Sequence, residues 1–246
     1  MIDFHNHILP GVDDGAKSIE ESLNMLKYAE DQGITEIVNT VHFQHPKMEQ
    51  KSTEFDYISN VKDQLIEAMD RENIKIKIHL GAEVFFNFNL TNITSNPLVT
   101  FCNGKYMLVE FQTHQFPEKF DDHLFQLAIS GITPIIAHPE RYKPIQNDIS
   151  IIEKLINSGT LVQIDAGSLL GHFGPNCKTI SENMLKRKMV HIIGSDSHNL
   201  GRRNFCLKKA LDVVENIVDY DFMPLVQDNP RKVINGDKIK IPEFQN

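Results

Sequence analysis

The sequence predicts an α/β fold made of parallel strands, and three observations lead to this fold class. Short apolar runs alternate with helical patterns along nearly the whole chain, as in consecutive β-α-β units. The chain has 246 residues, a length at which a single α/β barrel is common. Each predicted strand also ends at a polar residue of a kind that binds metals. A barrel is therefore favoured, with an open doubly wound sheet as the alternative.

Seven segments have the pattern of strands, because each is a short apolar run bounded by polar or turn-forming residues. They are residues 2–5, 36–41, 74–83, 105–111, 133–138, 160–165 and 190–196. Apolar residues at helical spacing predict helices near residues 18–33, 55–69, 118–130, 148–158, 178–188 and 204–219. No composition shift or repeat marks a linker, so we expect one domain over residues 1–246.

The first of these helices has a clear start and end. Ser18 and Glu21 form the S-x-x-E pattern of a capping box, in which the serine side chain accepts a hydrogen bond from the first turn. Gly33 suits the end of the helix, since glycine readily adopts the left-handed conformation found there. The segment therefore joins the first two predicted strands as one complete β-α-β unit.

The composition argues against several classes of function. The chain carries 25 Lys and Arg against 33 Asp and Glu, a net charge of −8, which does not favour nucleic acids or anionic membranes. No run approaches the roughly 20 apolar residues that a membrane-spanning helix needs. Cys102, Cys177 and Cys206 lack C-x-x-C spacing and fit a reducing compartment. Since no secretory signal pattern is present, we expect a cytoplasmic protein without membrane insertion.

Potential metal ligands occur where the predicted strands end. They are His5, His7, His42, Glu83, Glu110, His138, Asp165, Asp196 and His198. Because parallel barrel strands end at one face, these side chains are expected to converge, and burying them together would be costly without cations. The H-x-H pair has a geometric reason, since residues i and i+2 of a strand point to the same side. Nitrogen and oxygen ligands suit Zn, Mn, Fe or Ni, and more are present than one ion uses.

A set of motifs, taken in order, extends this interpretation. The motifs are MIDFHNHILPGVDDG, TVHFQHP, GAEVFF, LVEF, IIAHPERY, GSDSHNLGRR and DNPRKVINGD. In sequence and position they resemble the PHP-type bacterial protein-tyrosine phosphatases of capsule and exopolysaccharide loci, the CpsB/YwqE-like enzymes, over essentially the whole chain. The resemblance implies a distorted (β/α)7 TIM-like barrel of the PHP fold, and the strand count from the residues agrees. It also implies three divalent metal ions, commonly Mn2+.

The resemblance assigns ligands to the three ions. The first would be held by His5, His7, Glu83 and Asp196, the second by Glu83, Glu110 and His138 with Glu83 bridging, and the third by Asp14, His42 and His198. The V-D-D-G motif offers two carboxylates, of which the family pattern selects Asp14 as the ligand. Asp13 is expected to stabilise the glycine turn instead.

Two arginines complete the family pattern and are the expected catalytic residues. The first is Arg141 in HPERY. Counting from SDSHNL selects Arg203, although Arg202 is adjacent and HNLGRRNF lacks the prolines usual in the family. A guanidinium group contacts two phosphoryl oxygens at once, so both arginines are expected to grip the phosphoryl group.

The implied function is metal-dependent hydrolysis of phosphotyrosine in proteins. The implied substrate and partner is the tyrosine-rich C-terminal tail of a bacterial tyrosine autokinase, which would link the enzyme to control of capsule or exopolysaccharide synthesis. Two alternatives stay open, namely a PHP phosphatase for a small phosphomonoester such as histidinol phosphate, and a non-catalytic metal-binding or kinase-docking protein.

A cysteine-based phosphatase is excluded by the sequence. Its C-x5-R loop needs an arginine six residues after a reactive cysteine. The residues at that position after the three cysteines are Leu108, Asn183 and Asp212.

Other polar and aromatic residues are expected to have structural roles. The histidines in this group are His45, His79, His114, His123, His172 and His191. His45 is the strongest exception, because it lies in the loop after His42. The sequence leaves two roles open for Asp165, namely a partner that orients a metal ligand and a cap at a strand end. The aromatic residues expected to pack rather than to stack on a substrate are Phe85, Phe86 and Phe88.

Overall fold

The chain forms a nearly closed barrel of seven parallel strands surrounded by helices. The computed structural model describes residues 1–48, 53–101 and 104–240. The strands are β1 (Ile2–Asn6), β2 (Glu36–Phe43), β3 (Lys77–Phe85), β4 (Tyr106–Glu110), β5 (Thr133–Ala137), β6 (Leu161–Asp165) and β7 (Ile192–Gly194). They pair in chain order, and each of these pairings is parallel. The predicted α/β class and seven-stranded barrel are confirmed.

The barrel closes where the segment after β7 meets β1. Asn6 and Ser197 form a parallel bridge. The N–H of Asp196 donates to the carbonyl of His5 at 2.7 Å, and the N–H of His7 donates to the carbonyl of Ser197 at 2.8 Å. These bonds join the two edges of the sheet, so the chain does not adopt the open doubly wound alternative.

Helices cover the outside of the barrel. In the described ranges they are α1 (Ile19–Asp31), α2 (Phe55–Arg71), α3 (Phe120–Ile129), α4 (Lys143–Asn147), α5 (Ser150–Asn157), α6 (Ala166–Leu169), α7 (Pro175–Lys186), α8 (Leu207–Glu215) and α9 (Asp228–Asn235). Across the residues that the structure describes, none of these helices has both the length and the apolar character to cross a membrane.

The start and end of α1 match the sequence prediction. Ser18 Oγ accepts a hydrogen bond from the N–H of Glu21 at 3.2 Å. Glu21 Oε2 in turn accepts from the N–H of Lys17 at 2.8 Å, one residue before the position expected for a capping box. The chain leaves the helix through Gly33, whose φ of +81° lies in the left-handed region.

The barrel interior is filled by a buried apolar cluster with members from β1, β2, β4, β5, β6 and β7, including Phe4, Val38 and Ile192. Strands on opposite sides of a barrel meet only through its interior, which places this cluster inside. Leu108 of β4 belongs to it, and alternation along a strand therefore directs Glu110 to the same side. A larger cluster packs the outer faces of the strands against the helices. Polar residues at the ends of the strands thus face the mouth of the barrel.

The opposite end of the barrel is held by an ion-pair cluster. Glu36, the first residue of β2, accepts a hydrogen bond from Arg231 of α9 at 2.8 Å. His79 of β3 contacts the same carboxylate at 2.9 Å. Since α9 belongs to the DNPRKVINGD motif, this motif secures the amino-terminal end of the barrel.

Some element bounds differ from the prediction for identifiable reasons. β3 begins at Lys77 because its partner β2 begins at Glu36, which pairs with Lys77, so the alternating residues 74–76 have no strand to pair with. β7 ends at Gly194 because the backbone turns at Asp196, where φ is +47°. The helices α4, α6 and α9 are not among the predicted ones, and α4 and α6 have only five and four residues, too few to display a helical period.

Candidate metal centre

A cavity of about 190 Å³ lies at the carboxyl ends of the strands. Its wall contains six of the predicted ligands and both expected arginines. The residues are Asp14, His42, His45, Lys47, Met48, Glu83, Glu110, His138, Arg141, Asp196 and Arg203. The convergence follows from the topology, because parallel strands in a barrel deliver their last residues to one face.

The first group of ligand atoms is buried and consists of His5, His7, Glu83 and Asp196. His5 Nε2 lies 3.1 Å from Glu83 Oε2 and 3.4 Å from Asp196 Oδ1. His7 Nε2 lies 3.4 Å from the same two oxygens. The two Nε2 atoms are 3.4 Å apart, so both imidazoles of the H-x-H pair reach one point. This is the set assigned to the first ion.

The second group shares His7 and adds Asp14, His42 and His198. Asp14 Oδ1 lies 3.1 Å from His198 Nε2 and 3.3 Å from His42 Nε2. This second group contains the three residues assigned to the third ion, and a ligand atom of His7 lies close to theirs.

Asp13, the other carboxylate of V-D-D-G, lies behind this group. Its Oδ2 is 2.9 Å from His7 Nδ1, and its Oδ1 accepts from the N–H of Gly15 at 3.0 Å. The structure thus places Asp14 among the ligand atoms and Asp13 in the glycine turn. A side chain at Gly15 would collide with the backbone of His7, so glycine is needed for this close approach.

Glu83 connects the remaining ligands. Its Oε1 lies 2.8 Å from His138 Nε2, and its Oε2 lies 3.3 Å from His42 Nδ1. Glu110 Oε2 is 3.8 Å from His42 Nδ1. The third group of close ligand atoms is therefore His42, Glu83 and Glu110, whereas the resemblance pairs Glu83 and Glu110 with His138. Glu83 is common to this group and the first one.

Two buried carboxylate oxygens indicate that cations fit this site. Glu110 Oε2 and Asp196 Oδ1 accept no hydrogen bond from the described residues. Burial, followed by the neighbouring Glu83 and Asp196 carboxylates, raises the pKa of Glu110 well above its usual value. Crowded carboxylates with free lone pairs are stabilised by divalent cations, and the oxygen and imidazole donors are suitable ligands.

The imidazoles differ in how readily they bind a proton. Burial lowers the pKa of His138 and of His198 to about 4, which keeps both rings in the neutral form that binds metal. Burial also disfavours a proton on His7, but Asp13 and the other nearby carboxylates raise the pKa of His7 well above its usual value. His7 is therefore a ring at which a proton competes strongly with a metal ion.

Buried amides orient the ligands from behind. Gln163 Oε1 lies 2.8 Å from His5 Nδ1. Asn39 Oδ1 accepts from the N–H groups of Ile8 and Leu9 at 2.8 and 3.0 Å, which fixes the chain after the H-x-H pair. The sequence does not single out either amide. One available signal is the position of Gln163 in the apolar strand LVQID, which directs it to the barrel interior.

The two expected arginines meet at one ligand. Arg141 Nη2 and Arg203 Nη2 each lie 2.7 Å from Asp196 Oδ2. Although burial raises the pKa of Asp196, Arg203 and Arg141 lower it well below its usual value. Arg202 instead donates to the carbonyl of His172 and is exposed. The structure therefore places Arg203, and not Arg202, in the cavity wall.

Of the two roles that the sequence leaves open, Asp165 has that of a cap, and it contacts Arg141 rather than a predicted metal ligand. Its Oδ1 accepts from the N–H of Gly167 at 2.6 Å, which caps α6, and its Oδ2 pairs with Arg141. Behind it, the fully buried Glu140 accepts from the N–H of Asp165 at 2.9 Å and from Ser168 Oγ at 2.7 Å. Burial raises the pKa of Glu140 to about 7. Glu140 thus positions Asp165, a role that the sequence does not indicate.

Two of the predicted ligands have left-handed backbones. The φ angle is +33° at His138 and +47° at Asp196, although neither residue is glycine. Such conformations cost on the order of 1–3 kcal/mol each and persist where the surrounding structure enforces them. Their position in the cavity wall supports a functional reason for this strain.

His45 also reaches the cavity, unlike the other histidines given structural roles. Its Nε2 lies 4.0 Å from Glu110 Oε2, and its ring centroid lies 4.7 Å from that of His42. Phe85 packs edge-on against His45 at 5.1 Å. Burial and the neighbouring His42 lower the pKa of His45, so its ring is neutral beside the ligands.

The other residues given structural roles lie outside the cavity wall. The histidines are His79, His114, His123, His172 and His191. Phe86 is buried and stacks on Phe111 with ring centroids 4.8 Å apart. Phe88 is 60% exposed and meets His123 edge-on at 5.2 Å. The packing role therefore applies to Phe86 and not to Phe88.

The described cysteines have no features of a nucleophile. Cys177 and Cys206 are buried free thiols. Burial raises the pKa of both, that of Cys206 to about 12, whereas a nucleophilic cysteine needs a low pKa. Cys102 lies outside the described residues.

The chain is similar in sequence to proteins of one family. The family model for capsular polysaccharide synthesis proteins, CpsB/CapC, matches residues 1–235. Tyrosine-protein phosphatase CpsB of Streptococcus pneumoniae is 32% identical over 241 residues, which cover 95% of this chain and 98% of that protein. Tyrosine-protein phosphatase YwqE of Bacillus subtilis (strain 168) is 30% identical over 240 residues, which cover 97% of this chain and 93% of that protein.

Solved structures agree with the sequence comparison. A match to the crystal structures of the metal-dependent tyrosine phosphatases YwqE from Bacillus subtilis and CpsB from Streptococcus pneumoniae has a TM-score of 0.91 at 29% identity, covering 100% of each chain. Histidinol phosphate phosphatase from Lactococcus lactis has a TM-score of 0.56 at 16% identity, covering 89% of this chain and 94% of that chain, which is a likeness of fold alone. The chain belongs to the CpsB/CapC family of capsular polysaccharide synthesis proteins.

Proposed function

We propose that this protein is a metal-dependent protein-tyrosine phosphatase. The observation that carries the proposal is a pair of metal-ligand groups that share Glu83, which lines one cavity together with Arg141 and Arg203. The relatives similar over nearly their full length are tyrosine-protein phosphatases, and the matching crystal structures are of metal-dependent enzymes. A non-catalytic metal-binding or docking protein is disfavoured, because it would not need both arginines in the cavity.

The site is proposed to hold three divalent ions, with Mn2+ as the first choice and Zn2+, Fe or Ni as alternatives. The protein ligands would be His5, His7, Asp14, His42, Glu83, Glu110, His138, Asp196 and His198. Such ions lower the pKa of water and neutralise charge on phosphoryl oxygens.

The arginines are proposed to bind and orient the phosphoryl group. Asp196 holds both guanidinium groups on one side of the cavity, and Asp165 provides a second anchor for Arg141. Guanidinium groups fixed in this way lose little freedom when they contact two phosphoryl oxygens each, so they favour a single orientation of the phosphomonoester. A buried thiol is not required for this arrangement.

The proposed setting is control of capsule or exopolysaccharide synthesis in the cytoplasm. The family name and the relatives support the link to capsular polysaccharide. The proposed substrate and partner is the phosphorylated C-terminal tail of a bacterial tyrosine kinase. We further propose that residues 1–246 act as a single phosphatase domain.

The test is the kcat/KM of protein that has been treated with chelator and then supplied with Mn2+. The substrates are a phosphotyrosine peptide, the matched phosphoserine peptide and histidinol phosphate. Preference for phosphotyrosine, lost with chelator and unaffected by thiol alkylation, is expected. Preference for histidinol phosphate would instead make the protein a small-molecule phosphatase with the same metal centre, and binding of Mn2+ without turnover would support the non-catalytic alternative.

A further inference from the structure

A second cavity of about 430 Å³ adjoins the metal centre. Arg141 lines both cavities, so they meet at this residue. The second cavity is lined by Thr113, Arg141, Lys143, Gln146, Phe173 and the first residues of α7 with Gly174 before them. Its position beside the phosphoryl site makes it accessible to a group attached to the same substrate.

The cavity has a positive character although the whole chain is acidic. Among the described residues its wall includes Lys143 and Arg141 and no carboxylate, and Arg141 is already paired with Asp165 and Asp196. Lys143 Nζ donates to Gln146 Oε1 at 3.0 Å, and this lysine has no carboxylate partner in the described part of the chain. The positive charge of Lys143 is therefore available to a ligand.

The walls of this cavity are held in place by contacts between lining residues and with carboxylates outside the wall. Arg141 is anchored by Asp165 and Asp196, and its guanidinium carbon lies 3.8 Å from the ring centroid of Phe173. The N–H of Lys143 donates to the carbonyl of Thr113 at 2.8 Å. A cavity already shaped in this way loses little conformational entropy when a ligand binds.

The amino-terminal end of α7 adds to the positive character. The helix has 12 residues and begins at Pro175, and its cap, Gly174, supplies no side-chain acceptor for the first turn. Gly174, Asn176 and Cys177 line the cavity. A helix amino terminus carries a partial positive charge, so it favours the same kind of ligand as Lys143.

We propose that this cavity binds the carboxylate side chain of an Asp or Glu that lies next to the phosphotyrosine in a protein substrate. The inference rests on the proposed phosphatase function and specifies which phosphotyrosine sites the enzyme prefers. Neighbouring residues of an extended peptide are about 3.3–3.6 Å apart along the chain. Groups bound in two cavities that meet at Arg141 can therefore belong to adjacent or next-but-one residues. Lys143 is the specificity-determining residue, and Phe173 packs against the aliphatic part of the acidic side chain.

The test compares phosphotyrosine peptides that differ only in the flanking residue, with Glu, Gln or Lys placed in turn at each of the two positions on either side. The readout is the ratio of kcat/KM for the Glu peptide to that for the Gln peptide. A partly exposed ion pair predicts a ratio of about 3 to 5 for the wild type at one of these positions at least. Lys143→Gln should bring this ratio close to one, and Lys143→Glu should make the Lys peptide the best substrate. Lys186→Gln removes an exposed lysine at the other end of α7 and should keep the wild-type ratio.

The outcomes separate this inference from the proposed function. Equal turnover of the three peptides by the wild type, or a Glu preference that persists in Lys143→Glu, would overturn the cavity assignment and leave the phosphatase function standing. Absence of turnover on every phosphotyrosine peptide, with histidinol phosphate hydrolysed, would overturn both. A Glu preference that falls with rising salt in the wild type and is missing in Lys143→Gln would support the assignment.

Discussion

Asp13 orients the imidazole of His7 by accepting a hydrogen bond from its Nδ1, with the two atoms 2.9 Å apart. Burial raises the pKa of Asp13, but the interaction with His7 outweighs this and lowers the pKa below its usual value, so the carboxylate is ionised and acts as an acceptor. The proton of a neutral His7 is therefore held on Nδ1, and Nε2 keeps its lone pair for a metal ion. Carboxylates that fix a histidine ligand in this way contribute to metal affinity without touching the metal.

Asp13→Asn is predicted to weaken metal binding by about 10- to 100-fold, the range typical for loss of such a partner. An asparagine keeps the shape of the side chain but removes the charge that favours a proton on Nδ1. The dissociation constant for Mn2+ can be measured by competition with a chelator. Asp148→Asn, which changes an exposed carboxylate that accepts from the N–H of Ser150, is the matched control. Equal affinity in Asp13→Asn and the wild type would show that Asp13 only shapes the turn.

Arg203→Lys is predicted to lower kcat/KM on a phosphotyrosine peptide by about 10- to 100-fold, since a charged hydrogen bond contributes about 1.5–3 kcal/mol and lysine cannot form a bidentate contact. Arg202→Lys should have little effect, because Arg202 contacts the carbonyl of His172 outside the cavity. Inhibition by inorganic phosphate should weaken in parallel with turnover in the first variant only. Similar losses in both variants would indicate that the loop rearranges when substrate binds.

The choice between these two arginines shows where the sequence stops being informative. The ligand positions follow from local pattern, because an apolar run followed by His, Asp or Glu identifies a strand end, and parallel topology then brings the strand ends together. Adjacent arginines have no such local pattern, and Arg203 is selected only by counting along the family motif. Only the turn in which His198 and Asn199 both donate their N–H groups to the carbonyl of Arg203 decides which side chain enters the cavity.

Contacts between residues far apart in the sequence could not be predicted, for a related reason. Gln163 and His5 are 158 positions apart in the chain, and their contact depends on how β6 and β1 lie on either side of β7 in the closed barrel. Glu140 is adjacent to Arg141 in the HPERY motif, but its role depends on contacts with Asp165 and Ser168 that only the folded chain creates. Residue type and spacing identify groups that can bind a metal, whereas the residues that support them are identified by packing.

His138→Ala is predicted to reduce turnover to near background while the protein remains folded. The variant removes a ring 2.8 Å from Glu83, at the mouth of the barrel and outside its apolar interior. His79→Ala is the control, because His79 contacts Glu36 at the opposite end of the barrel and should leave turnover nearly unchanged. Circular dichroism and Mn2+-supported hydrolysis can be measured on the same samples. Substantial turnover in His138→Ala would remove this residue from the ligand set.

The ion pair at the base of the barrel predicts a dependence of stability on pH. Hydrogen bonds from Arg231 and His79 lower the pKa of Glu36 from 4.5 to about 2, although burial acts in the opposite direction. Because the pKa is lower in the folded state, the stabilisation is complete above pH 4.5 or so and is lost as the pH falls towards 2. Since Arg231 is partly exposed, we expect a contribution of about 1 kcal/mol at neutral pH.

Glu36→Gln tests this contribution by removing the charge and keeping the side-chain size. Urea unfolding of the wild type and the variant should differ by about 1 kcal/mol at pH 7, and the two curves should converge as the pH approaches 2. The comparison cancels other carboxylates that titrate in both proteins. Metal-free protein should be used throughout, so that loss of bound ions at low pH does not enter the measurement. A difference that stays constant over this range would show that the charge of Glu36 is not the stabilising feature.

Tyr142 is predicted to support the metal centre from the core. Its ring is buried, and its hydroxyl accepts from the N–H of Phe111 at 3.0 Å and donates to the carbonyl of Ala137 at 2.8 Å. These two residues adjoin the ligands Glu110 and His138 at the ends of β4 and β5, so one hydroxyl ties two ligand-bearing strand ends together. Tyr142→Phe leaves a buried N–H and a buried carbonyl without this partner, which costs about 1–3 kcal/mol.

The loss should appear as a lower urea midpoint with an unchanged slope, and as weaker Mn2+ binding, because Glu110 and His138 are held less firmly. Tyr28→Phe, which removes a hydroxyl from the partly buried Tyr28 of α1, is the control and should change neither property appreciably. If Tyr142→Phe loses stability but binds Mn2+ as the wild type does, the hydroxyl serves the core alone. If both properties fall together, the tyrosine of HPERY is part of the structure that positions the metal ligands.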